Sequence, residues 1–270
     1  MKNSTTRRLL IETTLTHGMG DWITESAVLK MVNQQCPDVE IDISLRSYSK
    51  PPGQQYLPII CGVKARVIEE PEGEYTWRIN KFMGAILPGG KHCLLIFANY
   101  LNEACPGLNL VFDDRVYAPA IHRKAVRLPD QPFCVMPSGG KSMGMAHIHL
   151  SKEWNGFEEL ATRMSQHVSV VQIGGPLDQE LTAARYRYLS IGYEELGYIL
   201  SECSFVVSIE NGISHWAGHH HKRCYTIYTS PMHALPDQVG HPNQEPIMGL
   251  YKTLSVDEVY EIIRKKEGWT

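Results

Sequence analysis

Long apolar stretches are missing from the sequence, since no run approaches the roughly 18 residues that a membrane-spanning helix needs. The opening segment MKNSTTRRLLIETTL has neither a long apolar centre nor a clear cleavage site, so it is not expected to be a secretory signal. Excess positive charge is missing as well. With 26 Lys and Arg against 29 Asp and Glu, the net charge is −3, which disfavours duplex binding but leaves a local basic patch open.

The cysteines show no sign of pairing. All seven are irregularly spaced, none forms a CxxC pair, and several lie in apolar runs where a free thiol acts as a small hydrophobe. This pattern predicts a reducing environment and a cytoplasmic protein, either free or peripheral to a membrane.

Two nucleotide-binding fingerprints, GxGxxG and GxxxxGK(S/T), do not occur, so neither a nicotinamide dinucleotide nor a P-loop is expected. Histidine is abundant, with 12 residues that include His147, His149 and the run His219–His221. Neighbouring helical side chains diverge by about 100°, so three consecutive imidazoles cannot all face one ion. We therefore expect no metal site and no bound cofactor.

The first 45 residues change from strand to helix spacing and back again. RRLLIETTL is predicted to be a strand, THGMGD a turn, and WITESAVLKMVNQQ a helix, because Ile23, Val28 and Met31 recur at helical spacing. CPDVEIDISLRS alternates apolar and polar residues, as a strand does. The segment thus predicts a right-handed βαβ unit.

The middle of the chain is harder to interpret. GVKARVIEE alternates like an edge strand, and the apolar runs HCLLIFA and LNLVFDD are predicted to be strands. Residues 113–131 lack periodicity and contain two prolines, so we expect a linker there.

Strands and helices alternate again in the second half, which predicts another parallel sheet. PFCVMP, VSVVQIGG, SFVVSIENG and RCYTIYTS are the strand candidates, and SVDEVYEIIRKK is a closing helix. The predicted fold class is α/β, with two Rossmann-like domains facing a cleft. The expected boundaries are 1–125 for the N-terminal domain and 126–270 for the C-terminal domain.

Glycines and polar residues follow several of these strands. In GMGD, Gly18 and Gly20 permit a tight turn, and Asp21 either points into the cleft or caps the helix. In PSGGK and SKEW, the backbone around Ser138 and Gly139, with Lys141 or Lys152, could hold a phosphate or form an ordinary turn. Gly174 and Gly175 end another strand, where a plain turn is the alternative.

The stretch VVSIENGISHWAG, residues 206–218, places several polar groups at the end of a buried strand. A helix that begins near Gly212 would direct free N–H groups and its positive dipole end at an anion such as a diphosphate. Glu210 could accept hydrogen bonds from sugar hydroxyls, and His215 could donate to a phosphate. The alternative is a capped helix with a satisfied core histidine. The polar residues are Glu210, Asn211, Ser214 and His215.

Taken in order, four segments resemble glycosyltransferase family nine, the ADP-heptose–lipopolysaccharide heptosyltransferase type, which has the GT-B fold. The resemblance covers roughly residues 8–45 and 132–230. The segments are GMGDWITESAVLKMVNQQCPDVEIDI, VMPSGGK with SKEWNGFEELA, VSVVQIGGPLDQE, and YLSIGYEELGYILSECSFVVSIENGISHWAG.

The resemblance implies a metal-independent, inverting glycosyltransferase that moves a sugar from a nucleoside-diphosphate sugar to an acceptor hydroxyl. Asp21 matches the general base, with Gly20 beside the acceptor. Lys152 matches a ligand of the donor phosphates, and His215 with the N–H groups of Gly212 and Ile213 matches the diphosphate site. The other donor-site candidates are Ser138, Gly139, Gly174, Glu210, Asn211 and Ser214.

Two departures from the family pattern affect the substrates. The chain is shorter than usual for this fold, and Glu210–Asn211 replaces the family's Asp-Ser. The expected acceptor is a glycan or lipid-linked glycan. A modified base in DNA or a protein is the alternative acceptor, with RRLL and HRKAVR as local basic candidates. A sugar-nucleotide epimerase would need acid–base residues beyond Asp21, and a non-catalytic nucleotide-sugar-binding protein would be indifferent to Asp21→Asn.

Overall fold

A computed structural model of the chain describes residues 6–12, 18–46, 53–80, 93–113, 115–137, 154–176, 178–228, 244–248 and 254–270. Its backbone contacts divide the chain into two compact units, Met1–His122 and Arg123–Thr270. This division falls three residues before the boundary expected from the sequence. Within the described ranges, no helix combines the length and apolar character needed to cross a membrane.

The first unit contains a four-stranded parallel sheet in the order β3-β2-β1-β4. Its strands are β1 (Arg7–Glu12), β2 (Val39–Ser44), β3 (Arg66–Ile68) and β4 (Trp77–Asn80). In the described part of this unit the sheet is accompanied by the helices α1 (Met19–Gln35), α2 (Leu57–Ile60) and α3 (Cys93–Ala104), with a 3-10 turn at Gln54–Tyr56. The βαβ unit and the edge position of β3 agree with the sequence prediction.

Two predicted strands in this unit are wrong. The described part of HCLLIFA, residues 93–98, begins helix α3, whose buried residues Leu94, Ala98 and Leu101 recur at helical spacing over 12 residues. LNLVFDD forms no strand within its described residues; there Asn102 of α3 bonds both backbone groups of Leu110 through its side-chain amide. A short apolar run suits a buried helix face as well as a strand, so periodicity alone could not separate them.

The second unit contains a six-stranded parallel sheet in the order β10-β9-β8-β5-β6-β7. The strands are β5 (Phe133–Pro137), β6 (Ser169–Gly174), β7 (Tyr186–Leu189), β8 (Phe205–Ile209), β9 (Arg223–Tyr228) and β10 (Gln244–Met248). The helices within its described residues are α4 (Phe157–Met164), α5 (Tyr193–Glu202), α6 (Gly212–His219) and α7 (Val256–Glu267). The chain proceeds outward from β5 to β7, then crosses to β8 and proceeds outward the other way. This is the strand order of a Rossmann fold.

The core of the second unit lies mainly on one face of its sheet. Side chains of α4 and α7 pack there against alternate residues of the strands, such as Phe205, Val207 and Tyr225, and neither α5 nor α6 contributes to this cluster. Helix α6 instead contacts α5, β8 and β9. The other set of alternate residues, including Ser208 and Thr226, is therefore directed toward α5 and α6.

Six of the cysteines are buried and free of disulfide bonds: Cys36, Cys61, Cys105, Cys134, Cys203 and Cys224. Burial raises the pKa of Cys105 to about 11 and the pKa values of Cys203 and Cys224 to about 12. These thiols behave as small apolar groups of the interior.

A buried carboxylate joins three strands of the first sheet. Asp42, whose side chain is 1% exposed, accepts hydrogen bonds from Arg8 at 2.7 Å, from Arg66 at 2.8 Å and from the Tyr75 hydroxyl at 2.9 Å. Burial alone would raise the pKa of Asp42, but the bonds from Arg66, Arg8 and Tyr75 outweigh it and hold the pKa below its usual value. The charge pairs thus compensate the cost of removing the carboxylate from water.

We expect Asp42→Asn to lower the free energy of unfolding by about 1.5–3 kcal/mol at pH 7, because hydrogen bonds to a charged acceptor are lost. The carboxylate's contribution is present above the ordinary aspartate pKa and is lost as the pH falls through the depressed pKa of the folded state. Urea titrations measure this effect. Asp38→Asn, which breaks the exposed pair with Arg7, serves as the control; a loss equal to that of Asp42→Asn would contradict the prediction.

Candidate functional site

The strand order of the second unit marks one crevice for ligand binding. Between β5 and β8 the chain reverses its direction of travel across the sheet, and in open α/β sheets ligands bind outside the carboxyl ends of the strands at such a switch point. The carboxyl end of β8 is followed directly by Glu210 and the first turn of α6. The stretch identified in the sequence therefore lies at the expected place.

The first turn of α6 is closed by reciprocal hydrogen bonds between Asn211 and Ser214. Asn211 Oδ1 accepts from the N–H groups of Ile213 at 2.9 Å and Ser214 at 3.1 Å. In return, Ser214 Oγ accepts from the Asn211 N–H at 3.1 Å and donates to the Asn211 carbonyl at 2.7 Å. This is a capping box with Asn at the N-cap position, and it fixes where the helix begins.

The cap changes which N–H groups can meet a ligand. The Ile213 N–H, expected from the sequence to face a diphosphate, donates instead to the Asn211 side chain. The His215 N–H donates to the Asn211 carbonyl at 3.3 Å. Only the Gly212 N–H, among the first four of the helix, has no hydrogen-bond partner in the part of the chain that the structure describes. The helix offers one N–H and its dipole, rather than a row of donors.

Glu210 and His215 form a pair across this turn. His215 Nε2 lies 3.0 Å from Glu210 Oε1, and both side chains are partly accessible, at 18% and 22%. An ionised carboxylate only accepts hydrogen bonds, so Nε2 is the donor. His215 is thus not a core histidine, and the carboxylate beside the anion site has a hydrogen-bond donor of its own.

Gly174 ends β6 on the other side of β5, and a β-carbon there would overlap the carboxylate of Asp178, so a larger residue would displace that carboxylate. Asp178 accepts a hydrogen bond from the Gly175 N–H at 2.8 Å. Asp178 is not among the candidates expected from the sequence. The signal for it is an acid three residues after a strand-terminal Gly-Gly, which places a carboxylate near the carboxyl edge of the sheet.

The first unit holds the other set of candidates. Gly18 is the N-cap residue of α1, and Asp21 occupies the third helical position, where its Oδ2 accepts from the Gly18 N–H at 2.8 Å. Asp21 is exposed, so its carboxylate supports the helix start and is also accessible. The Gly20 carbonyl accepts from the Thr24 hydroxyl at 3.0 Å.

Several candidates lie outside the described residues: Ser138, Gly139, Lys141, Lys152, His147 and His149. Within the described ranges, no group of three or more His, Cys, Asp or Glu side chains is placed to hold a metal ion. His220, in the run His219–His221, is instead buried at the C-cap of α6, with its ring 5.8 Å from that of Trp216.

Asn211→Ala removes the acceptor for two N–H groups, so the free energy of unfolding should fall by about 1–2 kcal/mol. Asn211→Asp keeps a cap oxygen and is the matched control, with most of the stability retained. Chemical denaturation measures both variants. Equal stability of Asn211→Ala and the wild type would show that the cap does not hold α6.

Burial, followed by the positive charges of Arg123 and Lys222, lowers the pKa of His220 to about 3. The unfolded chain therefore binds a proton at this residue between pH 6.5 and 3 that the folded chain does not, and stability is lost as the pH falls through this window. The expected slope is up to about 1.4 kcal/mol per pH unit.

Unfolding free energies measured from pH 7 to pH 4 test this expectation. His220→Leu should flatten the slope relative to the wild type. His221→Asn, at the exposed neighbour whose φ of 58° asparagine tolerates, should change it much less, because the charge of His221 is the last of the causes that lower the His220 pKa. Parallel slopes for the wild type and His220→Leu would contradict the assignment.

Comparison with solved structures identifies glycosyltransferases of one fold. E. coli heptosyltransferase WaaC, solved with ADP, aligns with a TM-score of 0.66 at 13% identity over 96% of this chain and 99% of that chain. E. coli ADP-heptose lipopolysaccharide heptosyltransferase II aligns at 0.58 and 14% identity, over 96% and 98% of the two chains. A family 9 glycosyltransferase from Veillonella parvula aligns at 0.55 and 14% identity, over 97% and 89%.

At such low sequence identity, these structural alignments show a shared fold. They confirm the resemblance found in the sequence as a resemblance of fold. The chain has an α/β fold with parallel sheets and shares its overall fold with these glycosyltransferases. No protein-family profile and no curated protein sequence matches the chain.

Proposed function

We propose that the protein is a glycosyltransferase that moves a sugar from a nucleoside-diphosphate sugar to an acceptor hydroxyl. The observation that carries the proposal is the Glu210–His215 pair at the start of α6, beside the switch point of a Rossmann-type sheet. The shared fold of heptosyltransferases supports the same reaction class. The site alone would suit any small anionic ligand with hydroxyl groups.

The donor is proposed to bind along the carboxyl edge of the second sheet. The Gly212 N–H, the dipole of α6 and His215 would stabilise the diphosphate, with Lys152 and the backbone at Ser138 and Gly139 as further ligands. Asp178, after the second strand of this Rossmann order, is placed to accept ribose hydroxyls. WaaC has been solved with ADP and with ADP-2-deoxy-2-fluoro heptose, so adenine is the first base to test.

Asp21 is proposed as the general base in an inverting transfer. It would take the proton of the acceptor hydroxyl while the acceptor oxygen attacks the anomeric carbon. The bond from that carbon to the diphosphate oxygen breaks, and the nucleoside diphosphate leaves with the electron pair. The helix dipole and cationic side chains would stabilise the leaving group, so the mechanism does not require a metal ion. A two-domain GT-B arrangement, a glycan acceptor near Gly20 and a cytoplasmic location belong to the same proposal.

A thermal-shift screen with ADP, UDP, GDP, CDP and TDP tests donor binding. One of them should raise the stability of the wild type, by about 2.7 kcal/mol at 100 times its dissociation constant. His215→Ala should weaken that binding at least about tenfold, as expected for a hydrogen bond to a charged group. His221→Asn, beyond the far end of α6, is the matched control and should bind like the wild type.

Asp21→Asn separates binding from turnover, because Asn retains an oxygen for the Gly18 N–H. The variant should bind the donor normally and transfer sugar about 10²–10⁴-fold more slowly. Asp38→Asn in the same unit should transfer at the wild-type rate. Stabilisation by none of the five nucleotides would refute the proposal. Binding without any transfer would indicate a nucleotide-sugar-binding protein.

A further inference from the structure

Tyr228 ends strand β9 with a polar group that the fold does not use. The residue is 5% exposed, and its hydroxyl has no hydrogen-bond partner in the part of the chain that the structure describes. Among the described residues, fully buried side-chain atoms that lack a hydrogen-bond partner do occur, such as Arg8 Nε, but the Tyr228 hydroxyl is not one of them and is therefore not sealed in the interior. It remains accessible at the carboxyl end of the strand, where a ligand group can bond to it.

Tyr225, on the same strand, has a structural role, and its hydrogen bonds contrast with those of Tyr228. It is fully buried, and its hydroxyl donates to Glu267 of α7 at 2.5 Å, while Arg223 donates to the same carboxylate at 2.9 Å. Tyr225 belongs to the core face of the sheet. Tyr228, three residues later, lies on the opposite face, toward α6.

The strand register places Tyr228 beside Glu210. Ile209 of β8 is paired with Ile227 of β9, so the next residue on each strand is Glu210 and Tyr228. Neighbouring strands lie about 4.8 Å apart, and residues in register direct their side chains to the same face. Burial, followed by the charge of the Glu210 carboxylate, raises the pKa of Tyr228 well above its ordinary value, so the phenol keeps its proton.

The two side chains have complementary hydrogen-bonding roles. Tyr228 offers a donor, whereas Glu210, held by His215, offers a carboxylate acceptor. A hydroxyl group matches both, because it can accept from the phenol and donate to the carboxylate. A phosphate oxygen would match only the phenol, and the adjacent carboxylate would repel it.

We propose that Tyr228 and Glu210 together bind one hydroxyl group of the ligand, and that Tyr228 determines specificity for a hydroxyl at that position. The proposal rests on the proposed function, since it concerns the same donor site. Two hydroxyl sources fit the chemistry, the ribose and the transferred sugar, and the experiment distinguishes them.

The test compares Tyr228→Phe with the wild type, using calorimetric titration with ADP and with ADP-heptose. The variant should unfold at the same denaturant concentration as the wild type, because the missing hydroxyl had no protein partner. Its affinity should fall about fivefold, as expected for one hydrogen bond. Weaker binding of ADP-heptose alone identifies a hydroxyl of the transferred sugar, whereas equally weakened binding of ADP identifies the ribose.

Two further variants keep the result interpretable. Tyr225→Phe is the matched control and should lower stability, since it loses the bond to Glu267, without changing the affinity for either ligand. Glu210→Gln should weaken binding of the same ligand that Tyr228→Phe weakens, because the amide is a poorer acceptor. Tighter binding by Glu210→Gln would identify a phosphate at this position and overturn the hydroxyl assignment.

The remaining outcomes are also decisive. If the wild type binds ADP or ADP-heptose and Tyr228→Phe binds both equally well, the inference is wrong while the proposed function stands. If Tyr228→Phe is clearly less stable than the wild type without ligand, the hydroxyl has a structural role and the inference is overturned. If the wild type binds neither ligand, both the proposal of an adenine-linked donor and the proposed hydroxyl site are refuted.

Discussion

The reciprocal hydrogen bonds between Asn211 and Ser214 determine the geometry of the candidate donor site. They end β8, begin α6 and thereby set the positions of Glu210 and His215 on either side of the turn. Because the cap uses the protein's own amide oxygen, the turn is formed before any anion binds. The site therefore depends on a local polar interaction that needs no partner from outside the unit.

Each sheet places its candidates by the same topological rule. In both units the chain starts from an inner strand, moves outward and later returns to that strand's other side, so the polar residues at its carboxyl edge flank the point of reversal. Asp21 follows β1 in the first unit, and Glu210 follows β8 in the second. Proton transfer and diphosphate binding would be assigned to different units, each of which builds its part of the site from its own sheet.

Sequence patterns predicted the elements whose apolar spacing was regular, such as β1, α1 and β8, and the order of the polar motifs that follow them. They failed for α3, where a continuous apolar run hid the helical period, and for β10, a five-residue edge strand with Pro246 in it. They could not show that the Ile213 N–H donates to the Asn211 side chain. Nor could they show that the Tyr225 hydroxyl has a protein partner whereas that of Tyr228 has none among the described residues, because both tyrosines simply belong to a strand pattern. Which side chains lie next to each other on neighbouring strands depends on the strand register, and the register cannot be derived from these sequence patterns.

The buried thiols have a consequence for chemical labelling. A pKa of about 11 or 12 leaves at most about one thiol in ten thousand as thiolate at pH 7, and the thiolate is the species that reacts with maleimides and disulfides. Reaction at Cys105, Cys203 or Cys224 therefore requires the surrounding structure to open first. The rate of thiol modification therefore measures how often the structure around each cysteine opens. Cys105 reports on opening in the first unit, and Cys203 and Cys224 report on opening in the second.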